Sequence, residues 1–193
     1  MVRLERRKRE LAHRRQVIVK AARDLAEAEG WESVTTRRLA DAIEYSQPVL
    51  YSHFEGKDAI VSAVALEGFT ELADVLHNAR EGAASPAAEP RAVATAYMEF
   101  ARTNRAVYEA MFTLSVDLTF AHADTPAPLH AAFVELREAL APLAGDRDVE
   151  TFTEVVWSAL HGLATLSQAG RLRPAFYDQR LATLVYQLAT ARA

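Results

Sequence analysis

The 193 residues contain no cysteine. That excludes disulfides, thiolate metal sites and cysteine nucleophiles, and it fits a reducing cytoplasm. Glycine is scarce, at seven residues. None sits in a Gly-x-Ser-x-Gly elbow or a phosphate-cradling loop. Ser, His and Asp are scattered without the arrangement of a triad, so no enzyme is expected. No long uncharged apolar run is available to span a membrane. The opening run Arg3, Glu5, Arg6, Arg7, Lys8, Arg9, Glu10 leaves no room for the apolar segment of a secretory signal. Internal repeats, low-complexity tracts and strand-type alternation are missing too. Hydrophobic residues make up half of the chain, which excludes wholesale disorder and supplies a sizeable core.

Every periodic segment is helical, so the fold class expected is all-α. The most informative stretch is 35–54. Thr35 can cap a short helix whose apolar side is Leu39, Ala40 and Ile43. Ser46 can cap a second, with Pro48 in its first turn, where a missing N–H costs nothing. Val49, Leu50 and Phe54 give that helix an inner face. Gln47, Pro48, Tyr51, Ser52 and His53 are left outside, with Lys57 just beyond. A solvating face should be charged; this one is polar and aromatic. Gln can bond adenine in a bidentate way, while Tyr, Ser, His and Lys can hold phosphates. Two short helices with such groups at the start of the second form a helix-turn-helix arrangement. An ordinary helical hairpin with a mixed surface is the competing reading.

Residues 18–57 resemble the N-terminal domain of the TetR family of transcriptional repressors. The carrying residues are Ala21, Ala22 and Leu25; Gly30-Trp31; the run Val34 to Ala40; and the run Pro48 to Asp58. The resemblance implies DNA contacts from Thr36, Arg37, Gln47, Pro48, Val49, Tyr51, Ser52, His53 and Lys57. It departs at Glu44, where the family has Gly in the turn. A left-handed conformation there costs a non-glycine residue about 1 kcal/mol, so the turn is expected to be shaped differently.

Charge supports a division of labour. The net charge of −4 argues against a general nucleic-acid coat protein. Residues 1–58 hold 12 Lys or Arg against 10 Asp or Glu, whereas residues 59–193 hold 10 against 16. Up to residue 23, Arg3, Arg6, Arg7, Lys8, Arg9, Arg14, Arg15, Lys20 and Arg23 accompany only Glu5 and Glu10. A basic segment ahead of a helix-turn-helix suits the phosphate backbone; a solvated helix start with no role would read the same way.

The expected domains are 1–58, a three-helix DNA-binding unit with a basic N-terminal extension over 1–15 that is either mobile or helical, and 59–193, a larger helical bundle for effector binding and dimerisation. Helix 1 is expected over about 14–29 (Val17, Ile18, Ala21, Ala22, Leu25, Ala28 inward), with Gly30 ending it. Helix 4 is expected over 59–79, capped by Asp58. Helices follow over 91–103, over 105–112 capped by Asn104, and over 129–143 ended by Pro142. Helix 8, over 149–169, is apolar on two sides. Phe152, Val155, Ala159, Leu163 and Leu166 form one stripe; Val149, Val156, Leu160, Ala164 and Ser167 form the other. Two apolar faces need two partners. A homodimer through helices 8 and 9 (the latter over 174–190) is therefore expected, against a purely internal helix pair.

Trp157 to Gly162 resembles the Trp-His-Gly signature of one TetR C-terminal class, which implies an effector pocket. Tyr97, Phe100, Tyr108, Met111, Phe112, Trp157 and His161 supply large apolar area with few polar tips and no cation. That suits an apolar or aromatic effector. The same residues equally make ordinary core. His122, Asp124 and His130 are loosely spaced, with Pro126 and Pro128 between; no metal and no cofactor is expected. The function expected is a cytoplasmic dimeric repressor of a palindromic operator in double-stranded DNA, released by its effector. The alternative is a helical interaction module whose helix-turn-helix does not bind DNA.

Overall fold

The computed structural model describes residues 2–114 and 124–190. Asp117 and His122 lie outside the described residues. Among these residues the chain forms nine α-helices and no strand: α1 (Val2–Glu29), α2 (Thr36–Ala42), α3 (Gln47–Tyr51), α4 (Lys57–Glu81), α5 (Glu89–Thr103), α6 (Arg105–Phe112), α7 (Ala127–Ala144), α8 (Val149–Gln168) and α9 (Tyr177–Thr190). Single 3-10 turns lie at Trp31–Ser33, Pro86–Ala88 and Pro174–Phe176. The fold is all-α, as the periodicity indicated.

Two compact units divide the chain. One holds the chain up to Gly68 together with α6; the other holds Phe69–Thr103 together with α7, α8 and α9. In the first unit α1 packs on α2, α6 and the turn at 31–33, and α2 packs on α3. Ile18, Val34, Leu39, Leu50 and Phe54 are buried there. Trp31 is buried and donates its indole N–H to the Ala106 carbonyl at 2.8 Å. In the second unit α5 packs on α7, α8 and α9, and α7 on α8.

Several boundaries differ from expectation for local reasons. α1 begins at Val2, so the basic extension is the helical one of its two expected forms and is continuous with helix 1 rather than ahead of it. Arg, Lys, Glu and Leu are strong helix formers, and Arg6–Glu10 (3.3 Å) and Lys8–Glu5 (3.7 Å) pair along the surface. Val19 and Ala26 are buried on α1, while Ala28 is exposed. α4 starts at Lys57, so Asp58 lies in its first turn rather than ahead of it. Pro142 lies inside α7, which runs on to Ala144 and stops at Gly145; near a helix end a proline deletes one hydrogen bond without ending the helix at once. Asn104 occupies the N-cap position of α6 but makes no side-chain cap. Its Oδ1 accepts from Arg23 at 2.8 Å, and the Glu27 carboxylate accepts the Val107 N–H at 3.2 Å instead. An acid from α1 thus satisfies an orphan donor at the start of α6.

Candidate nucleic-acid interface

The turn between α2 and α3 forms from short-range hydrogen bonds. Thr35 caps α2, its hydroxyl accepting the Arg38 N–H at 3.2 Å. At the other end Glu44 adopts a left-handed conformation, φ 56°. The Tyr45 N–H reaches the Ala40 carbonyl at 2.9 Å and the Glu44 N–H reaches that of Asp41 at 3.5 Å. These two bonds form a Schellman motif with Glu44 at the position that glycine usually fills. The expectation of a differently shaped turn is therefore corrected: the hydrogen bonds and the packing of α2 on α3 hold Glu44 in the strained conformation.

α3 is a helix of five residues with Pro48 in its first turn; Ser46 precedes it without a side-chain cap. Leu50 is buried and Val49 half-buried, and Gln47, Pro48, Tyr51 and Ser52 face solvent. Tyr51 keeps 54% of its surface exposed. Its hydroxyl lies 3.4 Å from the Thr36 hydroxyl, so the first turn of α2 and the end of α3 present one polar edge. The Ser52 hydroxyl donates to the Val49 carbonyl at 2.6 Å. His53 is half-buried, and its carbonyl accepts from the Arg15 guanidinium at 3.2 Å. Arg37 is exposed and forms no ion pair among the described residues, whereas its neighbour Arg38 binds both oxygens of Glu29 at 2.8 and 2.9 Å. That pair holds the Glu29 carboxyl below the usual carboxylate range, chiefly through the Arg38 hydrogen bonds. Lys57 is half-buried, and its ammonium donates to the Trp31 carbonyl. One of its three donors thus braces the fold.

Arg15 was legible only as one cation of a basic run. In the structure it also lies over the Phe54 ring, 4.1 Å from the centroid. Nothing in local spacing announces contacts from Arg15 to His53, 38 positions on, and to Phe54 after it.

The seven expected effector residues fall in both units. Tyr108, Met111 and Phe112 belong to α6 in the first, where Tyr108 and Met111 are buried. The Tyr108 and Phe112 rings lie 4.8 Å apart. Tyr97, Phe100, Trp157 and His161 belong to the second. There the Trp157 indole N–H donates to the Tyr97 hydroxyl at 3.0 Å, and the Trp157 and His161 rings lie 6.5 Å apart. Burial depresses the basicity of the His161 imidazole. A separate open groove of about 640 Å³ runs between α8 and α9, lined by residues that include Ala159, Leu163, Phe176 and Leu184. None of the expected effector residues lines it. Among the described residues no group of His, Cys, Asp or Glu could hold a metal ion, and no helix is long and apolar enough to cross a membrane.

Comparison with known proteins agrees with this architecture. Residues 18–64 match the family described as bacterial regulatory proteins, tetR family. Residues 91–190 match the tetracyclin repressor-like C-terminal domain. The chain is 41% identical over 51 residues to the tetracycline repressor protein class C of Escherichia coli, a match covering 26% of this chain and 23% of that repressor's length. It is 26% identical over 180 residues, 91% of this chain and 79% of the other, to the uncharacterized HTH-type transcriptional regulator Rv0681 of Mycobacterium tuberculosis. Among solved structures, a protein of unknown function from Rhodococcus sp. RHA1 superimposes with a TM-score of 0.74 at 26% identity, over 91% of this chain and 92% of that one. With a five-residue helix presenting Gln47 and Tyr51 beyond a capped turn, and with matches to both halves of the family's domain pair, the chain belongs to the TetR family of transcriptional regulators.

Proposed function

We propose that the protein is a cytoplasmic, dimeric transcriptional repressor that is not an enzyme. It binds a palindromic operator through residues 1–58, and an apolar or aromatic effector lowers that affinity through residues 59–193. The observation that carries the reading is the edge that exposed Gln47, Pro48 and Tyr51 form with half-buried Thr36 on the helix-turn-helix. Gln47, at the start of α3, is the base-reading group, and the hydroxyls and Arg37 hold phosphates. Lys57, through the Trp31 carbonyl, and His53, through Arg15, brace the fold as much as they serve DNA. Selection of bound sequences from random duplexes tests this. A palindrome should emerge, and Gln47→Ala should relax preference at one base pair by about 1–3 kcal/mol. Failure to select any sequence would favour the alternative, an interaction module without DNA binding.

Dimerisation through α8 and α9 is supported by apolar surface that stays uncovered among the described residues. Phe152, Val156, Leu160 and Ala164 bury one side of α8. On the other, Val155 is 62% and Leu166 46% exposed, and Tyr186 on α9 is 69% exposed. A second copy related by a two-fold axis would cover this face with itself. Leu160 faces its own core, so a charge there would unfold the chain rather than split a dimer; Val155 is the informative position.

A further inference from the structure

α1 is 28 residues long, yet the residues from Arg3 to Gln16 are all exposed, and burial begins at Val17 and Ile18. Residues 3–14, roughly three turns of helix and about 18 Å at 1.5 Å per residue, therefore project ahead of the three-helix core, and Arg15 is the first side chain to reach it. The projection is not electrically neutral. Residues 3–16 hold Arg3, Arg6, Arg7, Lys8, Arg9, Arg14 and Arg15 against Glu5 and Glu10.

Its charges are sorted by face. Leu4, Leu11 and Ile18 are spaced by seven and form one stripe, whose inner end, Ile18, is fully buried in the core. At about 100° per residue, Arg7, Lys8, Arg14 and Arg15 fall within about 60° of this stripe, while Glu5 and Glu10 fall about 100° or more away. Glu10 pairs with Arg6, outside the stripe. Arg7 and Arg14 form no ion pair among the described residues, and Lys8 makes only an exposed 3.7 Å contact with Glu5, worth little in water. The direction of the stripe is set by Arg15, whose guanidinium bonds the His53 carbonyl and lies on the Phe54 ring, directly after α3. The cationic face therefore continues past the end of the candidate reading helix.

We propose that residues 3–14 of α1 are a second DNA-contacting element, which lays Arg7, Lys8 and Arg14 along the phosphate backbone outside the base pairs read by α3. This rests on the reading of α3 as a DNA-binding helix. A major groove about 12 Å wide is bordered by phosphates, and a cationic face running about 18 Å from its Arg15 anchor beside the end of α3 has the length to meet the backbone that flanks the groove. The contact positions the protein and carries no sequence information.

The test uses the full chain and the duplex recovered by selection, once trimmed to the palindrome and once with flanks of about one helical turn on each side. The comparison is with the triple variant Arg7→Ala, Lys8→Ala, Arg14→Ala, which keeps the Arg15 anchor and good helix formers. On flanked duplex the slope of log affinity against log salt should flatten by about 0.9 per lost contact, roughly five for a dimer. Trimming should weaken the unmodified chain and leave the variant nearly unaffected, with one consensus for both. Equal slopes and equal responses to trimming would overturn the proposal while leaving the DNA-binding reading intact. Recovery of no sequence by either chain would overturn both. Loss of self-association by the variant in sedimentation, with unchanged slopes, would assign the stripe to a second copy and overturn the DNA role.

Discussion

Glu44 holds φ 56° in the turn that sets the angle of α3. A side chain at this position costs about 1–2 kcal/mol relative to glycine, because Cβ crowds the following carbonyl. Glu44→Gly should therefore raise stability by about 1 kcal/mol in urea unfolding, with the turn unchanged. No gain would mean that the Glu44 side chain returns the strain through contacts of its own. His161 makes the opposite kind of statement. Burial favours its neutral form, so the unfolded chain takes up a proton more readily than the folded one. Stability contributed by the neutral ring is full above the ordinary histidine range and is lost as pH falls through it. The melting temperature should drop more between about pH 7.5 and 5.5 for the unmodified chain than for His161→Asn. Parallel curves would show that the ring is not a protonation-sensitive part of the core.

At the scale of elements, α4 and α6 meet at a glycine. A Cβ on Gly68 would press into the Val107 side chain and come within 2.8 Å of the Met111 sulfur. Gly68→Ala should cost about 1–3 kcal/mol by overpacking. Adding Val107→Ala should recover part of that loss, since it removes the methyl groups in the way. Additive losses in the double variant would show that the two sites do not share this space. The helix pair α8 and α9 is tested by charge. Val155→Glu should place two carboxylates against each other across a two-fold axis and give a monomer by sedimentation, with the helical content kept. A dimer that survives this change uses another face.

For the whole molecule, the proposed effector response is a matter of linkage. A ligand that binds a form with lower operator affinity must bind the DNA-free protein more tightly, by the same factor. Compounds from an apolar library that raise the melting temperature should weaken operator binding in rank order. Trp157→Ala should abolish both responses and leave operator binding without ligand intact. Thermal shifts with no change in DNA affinity would separate the ligand site from regulation.

Much of this architecture was legible without a structure, because helices are specified by contacts three and four residues apart. The apolar spacing of α1, α2, α3 and α8, Thr35 as a cap, Gly30 at the end of α1 and the polar exterior of α3 all depend on neighbours within a turn or two of chain. What the periodicity could not decide depends on residues far apart. Glu27 replaces Asn104 as the donor's partner at the start of α6, across 80 positions. Arg15 is held by His53, and Trp31 by Ala106. Leu160 and Val155 read as equivalent apolar positions of a two-faced helix, yet one is buried and the other is 62% exposed. Periodicity states that a face is apolar; only tertiary packing decides whether the same chain covers it. The left-handed Glu44 marks the same limit, since local preference opposed the turn and the surrounding hydrogen bonds and packing prevailed.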